Sequence, residues 1–129
     1  MTDELERNLL IKHFRIFGVD RSSLDVTTHW EIGCGDGWFM LLEKLCDDIQ
    51  AHIEEQQIPQ VEFSQIKEKF GELRVYYSRG DQRVEELING AEIASKITCE
   101  NCGNIGEVQR TRYGWIKTLC ADCLTKTNE

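Results

Sequence analysis

Residues 99–123 read CENCGNIGEVQRTRYGWIKTLCADC, which sets Cys99, Cys102, Cys120 and Cys123 out as C-x2-C-x17-C-x2-C. Two CxxC pairs at this separation are the spacing of a tetrahedral four-thiolate zinc site. The two-residue gap lets both sulfurs of a pair reach one ion. The 17 residues between the pairs are enough for a short hairpin that carries the second pair to the opposite side of the tetrahedron. Thiolates are soft ligands and suit Zn2+. Gly103 follows Cys102, as a tight knuckle requires when backbone N–H groups turn toward the sulfurs. Four protein sulfurs leave no open position for a reacting water, so a structural Zn2+ is expected and metal-assisted hydrolysis is not.

Upstream of this module the period of the apolar residues changes three times. Leu5, Leu9, Leu10, Ile11, Phe14 and Phe17 recur near the helical period and predict a helix over residues 3–17, capped by Gly18. Residues 19–35 read as irregular, with Ser22, Ser23, Asp25 and Thr27 favouring turns and a short extended piece near His29–Ile32. Asp36 reads as the N-cap of a second helix whose apolar face is Trp38, Leu41, Leu42, Leu45, Ile49 and Ile53, ending before Pro59. Val61, Phe63, Ile66 and then Leu73–Tyr77 are β-formers around Lys69-Phe70-Gly71-Glu72, which predicts a hairpin. A third helix starts at Asp81, with Val84, Leu87, Ile88, Ala91, Ala94 and Ser95 on one face. It runs into Cys99 with no Pro- or Ser-rich linker. The expected fold class is therefore α+β: three helices with a β-hairpin in a compact domain over residues 1–98, and a four-cysteine zinc ribbon over residues 99–129 packed on it.

Composition narrows the function classes. The 129 residues carry a net charge of −8, with 12 acids and 5 bases in residues 1–60 and 4 of each in residues 99–129. Phosphate contacts dominate nucleic-acid affinity, so this balance disfavours a nucleic-acid ribbon, although Arg110, Arg112 and Lys117 lie near its middle. No apolar run reaches the roughly 18 residues of a membrane span. The acidic Met1–Arg7 lacks the layout of a signal peptide, and four of the six cysteines form ligand pairs, so a reducing cytoplasm is expected. Cys34 and Cys46 read as small buried apolar residues. His13, His29 and His52 have no serine, cysteine or carboxylate in a catalytic spacing, so no enzyme activity is expected.

Trp30-Glu31-Ile32-Gly33-Cys34-Gly35-Asp36-Gly37-Trp38 resembles the glycine turn of S-adenosylmethionine-dependent methyltransferases, in which glycines let backbone approach the cofactor. Three features oppose that reading. Asp25–Trp30 is too polar for a buried parallel strand. The acidic residue expected about 20 positions on would fall inside the second helix. The chain also has too few alternating strands and helices for a doubly wound sheet. The alternative is a tight turn and helix cap. In Lys67–Arg74, the charges suit either a solvated turn or a partner-facing tip with Lys67, Lys69 and Arg74 as contacts. Trp38 suits either the core or a contact patch, and Trp115 is expected to pack the ribbon against the helices.

Four pieces together resemble a family of small proteins encoded by bacteriophages, prophages and bacteria: Gly35-Asp36-Gly37-Trp38, Lys67–Arg74 (KEKFGELR), Cys99-Glu100-Asn101-Cys102-Gly103, and Gly114–Cys123 (GWIKTLCADC). The resemblance spans residues 35–123 and implies a mobile-element origin. Small size, acidity, the lack of a catalytic set and this resemblance together suggest an accessory protein that binds a host protein, for example an inhibitor of a defence system such as CRISPR. A zinc-ribbon nucleic-acid-binding regulator is the alternative, and a methyltransferase the third.

Overall fold

The computed structural model describes residues 1–20 and 30–129, so the turn-rich reading of Ser22–Thr27 and the His29 end of the extended piece lie outside the described residues. The element order is α1 (Asp3–Lys12), α2 (Phe14–Phe17), a 3-10 turn (Asp36–Trp38), α3 (Phe39–Gln56), β1 (Glu62–Lys69), β2 (Glu72–Ser78), α4 (Gln82–Ser95), β3 (Glu107–Arg110), β4 (Ile116–Leu119) and α5 (Ala121–Asn128). The fold mixes helices with two antiparallel two-stranded hairpins, β1–β2 and β3–β4.

Five helices are described where three were expected, for two reasons. The expected 3–17 helix breaks at His13, whose backbone (φ −112°, ψ 37°) leaves the helical region where its buried ring meets Glu43 on α3. Gly18 then ends α2 in the left-handed region at φ 63°. The second addition, α5, begins inside the last CxxC pair. Its segment ADCLTKTN is short and has few apolar residues, so no periodic stripe announces it.

Asp36 is not the N-cap of α3. Its carboxylate instead accepts the Thr2 N–H at 2.7 Å, and α3 starts three residues later. No strand forms at Trp30–Ile32. The neighbouring Gly33 makes a single parallel bridge to Lys67, donating to Ile66 O and accepting from the Glu68 N–H.

The main core lies between α3, α4, the α1–α2 pair and the inner face of the β1–β2 hairpin, around Leu9, Ile16, Trp38, Leu42, Ile49, Ile66, Leu73 and Val84. Phe17 meets Trp30 and Phe63 edge to face, with centroids 4.9 and 5.6 Å apart. Both hairpin edges are partly covered, which reduces the unpaired N–H row that would invite another strand. Gly33 lies along β1, and α4 guards β2, with Ser95 Oγ accepting from the Leu73 N–H and Glu92 from the Val75 N–H. A second, smaller apolar cluster of Cys99, Leu119 and Cys123 sits under the β3–β4 hairpin.

The turn joining β1 to β2 is two residues long, and both have positive φ: Phe70 at 54° and Gly71 at 83°. This is the twist-matched hairpin turn that favours Asn-Gly, and phenylalanine is a strained occupant of its first position. Gly90, by contrast, sits mid-helix in α4 with no atom within 4 Å of where a Cβ would stand. Gly90→Ala is therefore expected to stabilise the protein by about 1 kcal/mol. Chemical denaturation of the two proteins at equal zinc loading would check this.

Candidate metal centre

Two tight turns carry the cysteines. After α4 the chain bridges Thr98 to Ile105 and folds into a knuckle. The Cys99 N–H donates to Asn104 O (2.7 Å) and the Gly103 N–H to Cys99 O (2.9 Å). Gly103 takes φ +84°, which only glycine adopts freely. The β3–β4 hairpin then returns the chain to Leu119, and Cys120 caps α5, its Sγ accepting from the Cys123 N–H at 3.4 Å. All four sulfurs lie within 4.8 Å of one another, and Cys102 and Cys120 Sγ are 3.6 Å apart. Tetrahedral Zn–S bonds of about 2.3 Å would space the sulfurs by about 3.8 Å, so the four cysteines are close enough together to hold a metal ion. Burial pushes the Cys99 thiol up, but hydrogen bonds from the backbones of Cys120, Cys102 and Asn101 outweigh it and bring the thiol down to about 7. Burial and the neighbouring thiols push Cys123 the other way, up to about 12, and a bound cation would have to take the protons from all four.

The Gly35–Gly37 turn is the seat of this knuckle. The Gly37 N–H donates to Glu100 O at 2.7 Å, the Gly35 N–H to Glu100 Oε2 at 3.0 Å, and the Trp38 indole to Thr98 O at 2.8 Å. A Cβ on Gly37 would stand 2.1 Å from Cys99 O, and one on Gly35 would stand 2.5 Å from Glu100 O. The glycines do admit a close backbone neighbour, as the methyltransferase comparison suggested, but that neighbour is the chain's own Cys99–Glu100 peptide. A second strut runs from the β1–β2 turn. Gly71 packs on the Lys117–Thr118 backbone, and buried Thr118 donates its hydroxyl to Gly71 O at 2.6 Å. All four sequence pieces of the resemblance therefore converge on the cysteine site.

Glu100 lies at the centre of this joint. Burial pushes its carboxyl up, opposed by Lys117 (3.7 Å) and the Gly35 N–H. The other two cysteines stand apart from the cluster. Cys34 and Cys46 are buried, the former pushed up to about 12 by burial, and both are core residues as their surroundings in the sequence suggested.

The residues assigned to a partner-facing tip separate. Trp38 has no exposed surface and belongs to the core. Lys67 and Arg74 are cross-strand neighbours on the outer face of the hairpin, Lys67 over the Tyr76 ring and Arg74 paired with Glu72. Lys69 is exposed at the tip beside Phe70. Trp115 does not pack against the helices. It is 61% exposed on the β3–β4 hairpin, because Thr118 and Leu119 fill the contact instead.

A second convergence of donors escaped sequence reading: His13, Glu43 and Asp47. Thirty residues separate His13 from Glu43, and only the i,i+4 spacing of the two acids hinted at it. The Lys12 ammonium already bonds Glu43 and approaches Asp47 at 3.8 Å, so this cluster meets its charge internally. Burial pushes the Glu43 carboxyl up, but hydrogen bonds from Lys12 and His13 more than offset it and hold it below the usual range. A depressed carboxylate stabilises the fold above its unfolded pKa and loses that contribution as the pH falls. Glu43→Gln is accordingly expected to lower the melting temperature at pH 7, with the difference from wild type shrinking as the pH drops below about 4. Paired melts across pH 3–7 would check this; a constant difference would refute it.

No protein-family model matches the chain, and neither does any curated protein or solved structure. Function must therefore be argued from the geometry. No helix among the described residues is long and apolar enough to cross a membrane.

The seat makes a sharp prediction. Gly37→Ala drives a methyl into the Cys99 carbonyl and is expected to cost about 3 kcal/mol and to speed metal loss to a chelator. Unchanged stability and release kinetics would show that the contact is dispensable.

Proposed function

We propose that the protein is a zinc-stapled binding module without catalytic function, and that its target is a protein of the host of a phage or other mobile element. The ion assigned to Cys99, Cys102, Cys120 and Cys123 is Zn2+, chosen because four thiolates at tetrahedral spacing suit it. Its role is to fix the β3–β4 hairpin and the knuckle. An inhibitor of a host defence system such as CRISPR is the specific role that the family resemblance suggests, acting from the cytoplasm.

The observation that carries the protein-binding reading is an apolar patch where α4 meets the knuckle. Ile93 in the last turn of α4, Ile97 four residues on, and Ile105 are all exposed, Ile105 at 88%. The Thr98–Ile105 bridge and the Gly106 N–H on Ile97 O bring the main chains of the two segments together. Three large aliphatic side chains left in water around one joint suit a contact surface. The patch lies on the knuckle that the metal holds in shape.

Two measurements test this reading. Elemental analysis is expected to find one zinc per chain. Chelation is expected to unfold residues 99–129, since such sites contribute roughly 10 kcal/mol or more at neutral pH. In affinity capture from host lysate, wild type is expected to retain a protein in stoichiometric amount that I97D/I105D loses while keeping its zinc. Equal capture by both proteins, or a wild-type self-dimer that the double substitution breaks, would overturn the assignment of the patch to a host protein.

A further inference from the structure

Between the two hairpins lies an open cleft of about 710 Å3, lined among others by Glu68, Lys69, Phe70, Arg110, Trp115 and Lys117. Its two rings face solvent: Phe70 is 69% exposed and Trp115 61%, while Tyr113, 6.0 Å from Trp115 between centroids, lies outside the lining with its hydroxyl donating to Glu129 O. Cations accompany them. Lys69 Nζ sits 5.9 Å from the Phe70 centroid, and Arg110 lines the cleft with Trp115, while Arg112, outside the lining, donates to Asn128 O at 2.9 Å. Lys117 spends its charge on Glu68 and Glu100, at 3.5 and 3.7 Å. Among the described residues Lys69 and Arg110 form no ion pair with a carboxylate. The chain as a whole carries −8, so a local pair of uncompensated cations runs against its charge.

We propose that this cleft binds single-stranded nucleic acid, with Phe70 and Trp115 as stacking surfaces for bases and Lys69 and Arg110 as phosphate contacts. The alternation of ring and cation matches the alternation of base and phosphate in a single strand. A duplex hides its base faces and cannot use the rings. An acidic peptide would use the cations and leave the aromatic faces without flat partners. Phe70 adds an independent argument. It holds a strained, positive-φ turn position that Asn or Gly would fill at lower cost, and it presents its ring to water there. Folding gains nothing from that arrangement, whereas a binding surface does.

Trp115 supplies the readout, because Trp38 is buried and Trp30 half-buried. Titrating the zinc-loaded full chain with a twelve-nucleotide oligo-dT is expected to quench tryptophan fluorescence. The logarithm of affinity should fall against the logarithm of salt with a slope of about −1.4, the value for two single-strand phosphate contacts. Phe70→Asn is expected to melt higher than wild type and yet bind about tenfold more weakly, the loss of one stacked base. Arg110→Gln should flatten the salt slope by about 0.7. Four results would overturn the proposal: no quenching at 20 mM salt, equal affinity for duplex DNA, stronger binding of poly-glutamate than of oligo-dT, or full affinity in Phe70→Asn. The third would reassign the cleft to an acidic protein.

Discussion

The Cys99–Glu100 peptide, pressed flat against Gly35 and Gly37, is the contact on which the rest of the structure turns. Two backbone segments meet there with no side chain between them, closer than any Cβ would allow. The contact ties residues more than sixty positions apart and gives the small C-terminal cluster of Cys99, Leu119 and Cys123 a fixed place on the larger core. A cluster of that size could not hold a hairpin and a two-turn helix by burial alone. The metal ligands organise the knuckle and the second cysteine pair from within, and the glycine seat holds them from outside.

This division of labour explains which parts of the molecule could be read in advance. The CxxC pairs were legible because ligand geometry dictates their spacing, and α3, α4 and the β1–β2 hairpin because each carries its own hydrophobic period or turn dipeptide. The His13 break was not legible, because its cause is a buried contact with Glu43, thirty residues away. Nor was α5, whose first turn is capped by a cysteine thiol and whose apolar content is slight. The glycine turn was read as a local cap at Asp36, since nothing in residues 30–38 says that a peptide from residues 99–100 will lie against it. Of the candidate sites, the cysteine cluster came from local pattern. Trp38 took the core place of the two open to it and Trp115 stayed exposed instead of packing, because tryptophan serves core and surface equally well and only tertiary contact decides.

The surface of the protein is uneven in a way that net charge conceals. Acidic side chains concentrate in residues 1–60, while the cleft between the hairpins gathers cations and rings and the end of α4 gathers isoleucines. Both unusual surfaces adjoin the cysteine-bearing segment: Ile105 belongs to the knuckle, and Trp115 to the hairpin between the cysteine pairs. The large core formed by α3, α4 and β1–β2 acts as the platform, and the segment around the cysteine cluster carries the exposed groups. Rigidity at such sites reduces the ordering cost of association.

The knuckle is seated through the main chain of residues 98–100 and the Glu100 carboxylate, and this has a consequence for how the protein can change. Asn101, Asn104 and Ile105 are all exposed to solvent and take no part in that seat through their side chains. A joint built this way is indifferent to what those three positions carry. They can be exchanged for other chemistries while the joint beneath stays shut, which gives the molecule a variable tip on an invariant hinge pin.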